Sequence, residues 1–206
     1  MKLVRSCAVF FLTIFLSFIS LKAFSENAAV GSTAPAFSLN NALGKPVSLS
    51  QFSGKIVIIE WFNQNCPFVR KFYQNGDMRV FQKQARDKGA VWLTINSSAQ
   101  GKQGYIAPEE AQTIANEHDL DPNFLLLDPE GTVGKLYGAK VTPHMFVVDS
   151  KGNLAYAGAV DSQPTTKASD IAGSANYVMQ ALEALTQGRA PSVANTDPYG
   201  CGVKYK

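Results

Sequence analysis

The sequence predicts an α/β fold in which a central mixed sheet carries helices on both faces, and three observations predict it. Residues 56–61 (IVIIEW) and 90–95 (AVWLTI) are nearly continuous apolar runs of strand length, the pattern of strands buried on both faces. Segments with helical periodicity separate these runs, and strands joined through helices pair in parallel. Near the end, residues 144–149 and 154–160 flank Ser150-Lys151-Gly152-Asn153, a hairpin that adds antiparallel strands before a closing helix. With 46% hydrophobic and 17% charged residues, the 206-residue chain can bury one core of ordinary domain size, which excludes wholesale disorder.

Residues 1–25 stand apart. Lys2 and Arg5 precede an apolar stretch, residues 8–21, and Ala23-Phe24-Ser25 offers small residues at the spacing of a cleavage site. The stretch is shorter than the roughly 20 residues of a membrane span. A signal peptide cleaved before Glu26 is therefore expected, and with it an exported protein, periplasmic or secreted. An uncleaved N-terminal anchor is the alternative. Removing the leader takes Lys and Arg from 19 to 16 against 16 Asp and Glu, so no basic face remains to argue for nucleic acid or an anionic membrane. Cys7 leaves with the leader, and three cysteines become two, Cys66 and Cys201, in a compartment where disulfides persist.

Taken in order, residues 26–190 form the expected domain. Residues 26–35 are an irregular entry. Residues 36–39 and 47–49 are short strands about a turn, with Pro46 limiting the second. After the buried strand 56–61, a helix starts at Cys66, because Pro67 suits the first helical position. Phe68, Phe72, Val80 and Phe81 give it a core face, and Asn75-Gly76 interrupts or kinks it before Lys88-Gly89 ends it. Strand 90–95 leads into a long polar loop, residues 96–105, that borders a site or is plain surface irregularity and contains the N-glycosylation sequon Asn96-Ser97-Ser98, meaningful only in a eukaryotic secretory host. Pro108-Glu109-Glu110 starts a helix running to His118. Residues 123–128 are a strand, 131–138 a short helix or turn, and 174–187 the last helix. Residues 191–206 are a tail bearing Cys201.

Cys66 sits where unpaired helix N–H groups favour a thiolate, a position suited to a nucleophile. A buried inert cysteine, or a structural disulfide with Cys201, is the competing reading. Gly200 and Gly202 give Cys201 the backbone freedom to approach Cys66. A tail that presents a resolving cysteine and a permanent clasp contributing about 2 to 4 kcal/mol both remain open. Trp61, Phe62, Phe68 and Phe72 could frame an apolar rim or belong to the core.

The strand IVIIEW, Cys66-Pro67-Phe68-Val69 opening a helix, Val141-Thr142-Pro143 before a strand, the final hairpin and helix, and Tyr199-Gly200-Cys201 together resemble the thioredoxin superfamily, and within it the exported, peroxiredoxin-like redoxin branch. The resemblance covers residues 31–188 and implies a thioredoxin-like fold and an oxidoreductase that needs no cofactor. It matches Cys66 to the attacking cysteine and Glu60 to the buried acid beneath it. Pro143 matches the cis-proline opposite the cysteine, and the backbone of Thr142 would pair with an extended substrate. His144 could approach Cys66, although a structural place is its alternative. Where the family carries a second cysteine, this chain has Val69, and the peroxide-reducing pattern of a threonine before the cysteine meets Asn63. Copper-handling relatives need that second cysteine too, so no metal site is expected. The expected function is thiol–disulfide exchange with Cys66 attacking and Cys201 or an external thiol resolving. Its partners would be protein or small-molecule thiols and disulfides and a reducing partner protein. Hydroperoxide reduction and a non-catalytic binding module are the alternatives.

Overall fold

The computed structural model describes residues 27–206 except residue 122. The expected leader lies outside the described residues. A seven-stranded mixed sheet forms the centre, in the order β2-β1-β5-β4-β3-β7-β8. Its middle is β3 (Val57–Trp61), β4 (Val91–Asn96) and β5 (Leu125–Leu127), joined in parallel. Every residue of β3 and β4 is buried, as continuous apolar runs require when both faces are covered. β7 (His144–Val148) runs antiparallel to β3 with Trp61 opposite His144, and β8 (Leu154–Gly158) completes the hairpin. β1 (Ser38–Asn41) and β2 (Pro46–Ser48) form an antiparallel pair at the other side of the sheet. β2 is the edge strand, where Pro46 has no ladder bond to lose.

Alternation along β3 sends Val57, Ile59 and Trp61 into one core, shared with Val133 and Tyr137 of α4 (Thr132–Tyr137). Ile58 enters the opposite core, against Met78 and Ala85 of α2 (Asp77–Asp87) and Val178, Ala181 and Leu182 of α5 (Tyr177–Thr186). Helices therefore cover both faces. The interrupted helix after Cys66 is two helices, α1 (Pro67–Tyr73) and α2, because Gly76 takes a left-handed φ of 80° between them. Asn176 caps α5 by accepting from the N–H of Met179, so that helix starts later than its apolar pattern suggests.

One helix start is corrected, and the sequon turns out to be buried. The helix announced by Pro108 begins only with α3 (Ala111–Glu117), after a turn in which the N–H of Glu110 reaches the carbonyl of Ala107 at 3.0 Å. The sequon is also inside the protein: Asn96 is buried, and its amide donates to the carbonyls of Phe62 at 3.2 Å and Gly104 at 2.9 Å. Its side chain closes the long loop rather than facing solvent.

Residues 191–206 cross the domain as a strap. Ala157 donates to the carbonyl of Ala194 at 3.1 Å, and Thr196 uses its hydroxyl to join Tyr156 at 2.7 Å and the N–H of Ala159 at 2.9 Å. Further on, β9 (Cys201–Gly202) pairs antiparallel with β6 (Val141–Thr142). Lys204 then accepts from the N–H of Ala99 at 2.8 Å, and the Tyr205 hydroxyl donates to the carbonyl of Ala139 at 2.8 Å. The ring of Tyr205 lies against Gly134 of α4, where an added Cβ would stand 2.8 Å from the ring and 2.9 Å from the Ser97 hydroxyl. Gly134→Ala is expected to push Tyr205 out and to cost about 1 to 3 kcal/mol, the range for overpacking. Urea unfolding reads the loss, and limited proteolysis should cut the strap faster; unchanged values in both would show that Tyr205 does not anchor it.

Candidate active site

Cys66 immediately precedes α1, and its own extended backbone turns the chain out of the loop after β3. Asn63 shapes that loop by accepting the N–H of Asn65 at 2.8 Å and donating to the carbonyl of Gln103 at 3.3 Å. Opposite lies Thr142, whose bond to Pro143 is cis. The Cys66 thiol is 0% exposed and donates to the Thr142 carbonyl at 3.0 Å. It shares a small apolar cluster with Phe62, Val69, Ile106 and Leu125, and Phe68 and Cys201 pack against that cluster.

Cys201 arrives through the strap. Its pairing partner in β6 is Thr142, whose carbonyl accepts from Cys66, and it packs against the apolar cluster that holds Cys66. Both are free thiols. Burial pushes the Cys66 thiol up, but hydrogen bonds from the Cys201 side chain, Thr142, and the backbone of Val69 and Cys201 outweigh it and hold Cys66 below the ordinary thiol range. The bond to the Thr142 carbonyl opposes this, since only the protonated sulfur can make it. Cys201 moves the other way, to about 11, through burial and then the hydrogen bond to and charge of Cys66. One sulfur is thus set to carry the charge and the other to keep the proton.

The strap is latched just before Cys201. Lys71, wholly buried in α1, forms an ion pair with Asp161 at 3.0 Å and donates to the carbonyl of Gln163 at 2.7 Å. The hydroxyl of Tyr199 donates to Asp161 and accepts from Lys71 at 3.1 Å. The Lys71 ammonium also lies 5.4 Å from the Tyr199 ring, and Phe68 meets that ring edge-on at 5.8 Å. Sequence reasoning missed all three polar residues. A lysine between Phe68 and Phe72 on an apolar helix face was the one signal, but its partner is 90 positions away.

The other expected site residues divide. Phe68 stands beside both Cys66 and the latch. Trp61 does not frame the sulfur: it is 0% exposed in the opposite core, stacked among Tyr137 and Phe146, and donates to the Ser97 hydroxyl at 3.0 Å. The period of the strand explains this, because Trp61 points with Ile59 and away from Glu60. His144 rests on Phe146 at 4.4 Å and accepts from the N–H of Lys140 at 3.3 Å, and burial and then the nearby Lys140 charge push it down to about 3. That is the structural place rather than a base beside Cys66. Glu60 is 0% exposed; it accepts from Tyr73 and from Trp92 at 2.9 Å, and neither cysteine is among its hydrogen-bond partners. Burial pushes its carboxyl up to about 7, against the lowering effect of Trp92 and Tyr73. Among the described residues, no group of three or more His, Cys, Asp or Glu is arranged to hold a metal ion.

Residues 29–174 match the Redoxin family model. The chain belongs to the Redoxin family. A hypothetical protein from Sinorhizobium meliloti 1021 has a similar structure, with a TM-score of 0.73 and 21% identity over 88% of this chain and 97% of that one. An uncharacterized conserved protein from Geobacillus kaustophilus is similar at 0.72 and 27% identity, covering 86% and 93%. The thioredoxin domain of a thiol-disulfide oxidoreductase from Bacteroides vulgatus is similar at 0.50 and 23%, covering 64% and 89%, a likeness of fold. No curated protein matches the chain in sequence. The redoxin domain is thus a thioredoxin-like fold, and the family match stops short of the strap that brings Cys201.

Glu60 makes stability depend on pH. Its folded pKa of about 7 lies above the unfolded value of 4.5, so the folded state holds this proton where the unfolded state has lost it. The contribution is complete below pH 4.5 and disappears as pH rises through 7. Wild type should lose about 3 kcal/mol more than Glu60→Gln over that interval, measured by urea unfolding at each pH. Parallel curves for the two proteins would mean that Glu60 ionises freely in the fold.

Proposed function

We propose that this redoxin is an exported thiol–disulfide oxidoreductase whose redox couple is Cys66 and Cys201. The observation that carries the reading is that the strap packs Cys201 against the cluster around Cys66, both cysteines meeting Thr142, with Val69 at the place of the vicinal cysteine. In the reductive direction, the Cys66 thiolate attacks one sulfur of a substrate disulfide, forming a mixed disulfide and releasing the other sulfur as a thiolate. Cys201 then gives up its proton and attacks the Cys66 sulfur, so the substrate's second thiolate leaves and a Cys66–Cys201 disulfide remains. A dithiol partner returns two electrons and resets both thiols. A lowered pKa suits Cys66 both to attack and to leave. Protein or small-molecule disulfides are the substrate class, and export rests on the leader-like residues 1–25.

Hydroperoxide reduction is the second reading. There Cys66 would attack the O–O bond, become a sulfenic acid and condense with Cys201. It ranks lower because Asn63, at the threonine position of the peroxide-reducing pattern, spends its side chain inside the loop.

Mild oxidation should remove the mass of two hydrogen atoms and link Cys66 to Cys201 in peptide maps. Cys66→Ser should abolish disulfide reduction. Cys201→Ser should release one thiol per enzyme and stop as a trapped mixed disulfide, unless an external thiol is supplied. Wild-type turnover in Cys66→Ser would overturn the reading. Consumption of peroxide without any disulfide exchange would replace it with the second.

A further inference from the structure

The strap is docked as a strand on the same β6 edge that faces Cys66, and its fit constrains the strand position by position. Gly200, just before Cys201, has φ of 150°, and an added Cβ would lie 2.7 Å from the Thr142 carbonyl carbon and closer still to its oxygen. Both atoms are backbone and cannot move aside, so only glycine fits there. Gly202, just after Cys201, is different: a Cβ there would meet only the Lys140 carbonyl, at 4.0 Å. Two positions before Cys201, the Tyr199 ring and hydroxyl fill a site built from Phe68, Lys71 and Asp161, of which the two charged residues are buried. Meanwhile Cys66 is 0% exposed, so no reagent touches its sulfur while the strap is down.

We propose that the strap is a built-in stand-in for the partner strand: the β6 edge receives an extended segment reading Tyr-Gly-Cys-x, and a protein partner reaches Cys66 by displacing β9 and presenting that pattern. The inference rests on the redox reading above and names its partner. The aromatic hydroxyl satisfies Lys71 and Asp161, which otherwise lose a buried partner. The glycine admits the backbone to the edge, and the cysteine sulfur comes to rest against Cys66. Residue x is free because the edge is open at Gly202. Cys66 attacks the partner's cysteine sulfur in its disulfide, a Cys66–partner bond forms, and the partner's other sulfur departs as a thiolate. The strap then returns, and Cys201 completes the exchange.

Because the docked strap competes at the high effective concentration of a tethered segment, the test loosens it in the full chain. Tyr199→Ala/Cys201→Ser is the acceptor, with Gly200→Ala/Cys201→Ser as a second way of lifting the strap should the first fail to fold. The probe is the peptide Asp-Pro-Tyr-Gly-Cys-Gly-Val with its cysteine linked to 5-thio-2-nitrobenzoate. Attack by Cys66 forms the peptide disulfide and expels the coloured thiolate. Alanine in place of the peptide's tyrosine, or of the glycine before its cysteine, should slow release about tenfold or more, a difference of one lost specific contact. Alanine after the cysteine should change it less than about twofold. Equal rates for all four peptides, with Cys66 still reactive toward the free aromatic disulfide, overturn the proposal and leave the redox reading standing. A Cys66 inert to every probe in both loosened variants overturns both.

Discussion

A thiolate taken wholly out of water must find hydrogen-bond donors to replace the solvent it has lost, and the site depends on that constraint. Burial alone would raise the Cys66 pKa, yet the sulfur is held below the ordinary thiol range. Val69 contributes from the same helix, but its N–H also bonds the Cys66 carbonyl at 3.1 Å, so little of it is free for the sulfur. Thr142 and Cys201 supply the rest, and they are brought together by β6 and β9. The lowered pKa of Cys66 is therefore a property of the docked strap as much as of its own helix.

The strap is strongest at its ends. A two-residue ladder offers only a few hydrogen bonds, each with a net contribution of about 0.5 to 1.5 kcal/mol. By contrast, the Thr196 hydroxyl joins Tyr156 of β8, the Tyr205 ring lies against Gly134 of α4, and between them Tyr199 joins a buried ion pair. Such a pair contributes little net stability, because desolvation offsets its attraction, but losing one of its members costs about 3 to 5 kcal/mol. Lys71 and Asp161 thus act less as glue than as a demand for a matching hydroxyl. Lifting the segment between Thr196 and Tyr205 exposes Cys66, a local opening whose cost falls chiefly on the Tyr199 bonds to Lys71 and Asp161.

Much of the fold was legible because β3, β4 and β7 are nearly continuous apolar runs, and burial of both strand faces leaves that mark in sequence. Cys66 was legible for a related reason: Pro67 marks the helix start. The strap was not. Its bonds run from hydroxyls of Thr196, Tyr199 and Tyr205 to partners far away in the chain, and isolated polar residues in a Pro- and Gly-bearing tail carry no period. Gly200 and Gly202 looked alike as sources of freedom. Only the position of the Thr142 carbonyl separates them, one as a steric requirement and the other as an open place. Trp61 was misplaced by reading adjacency in sequence as adjacency in space, since consecutive strand residues face opposite sides.

In the proposed couple, a vicinal cysteine is replaced by one at position 201, and this changes what its reduction would report. In a two-cysteine helix turn, the disulfide closes a short loop that the local backbone already dictates. In the proposed Cys66–Cys201 pair the loop would run from residue 66 to residue 201, and its closure would be the docking of the strap. Docking and disulfide formation are linked and therefore reciprocal: whatever holds the strap down favours the disulfide, and the disulfide holds the strap down by the same free energy. A group that competes for the β6 edge, or disturbs the Lys71–Asp161–Tyr199 latch, consequently makes the pair easier to reduce without touching either sulfur. Under the proposed mechanism, the latch and the edge are as much part of the redox chemistry as Cys66 itself.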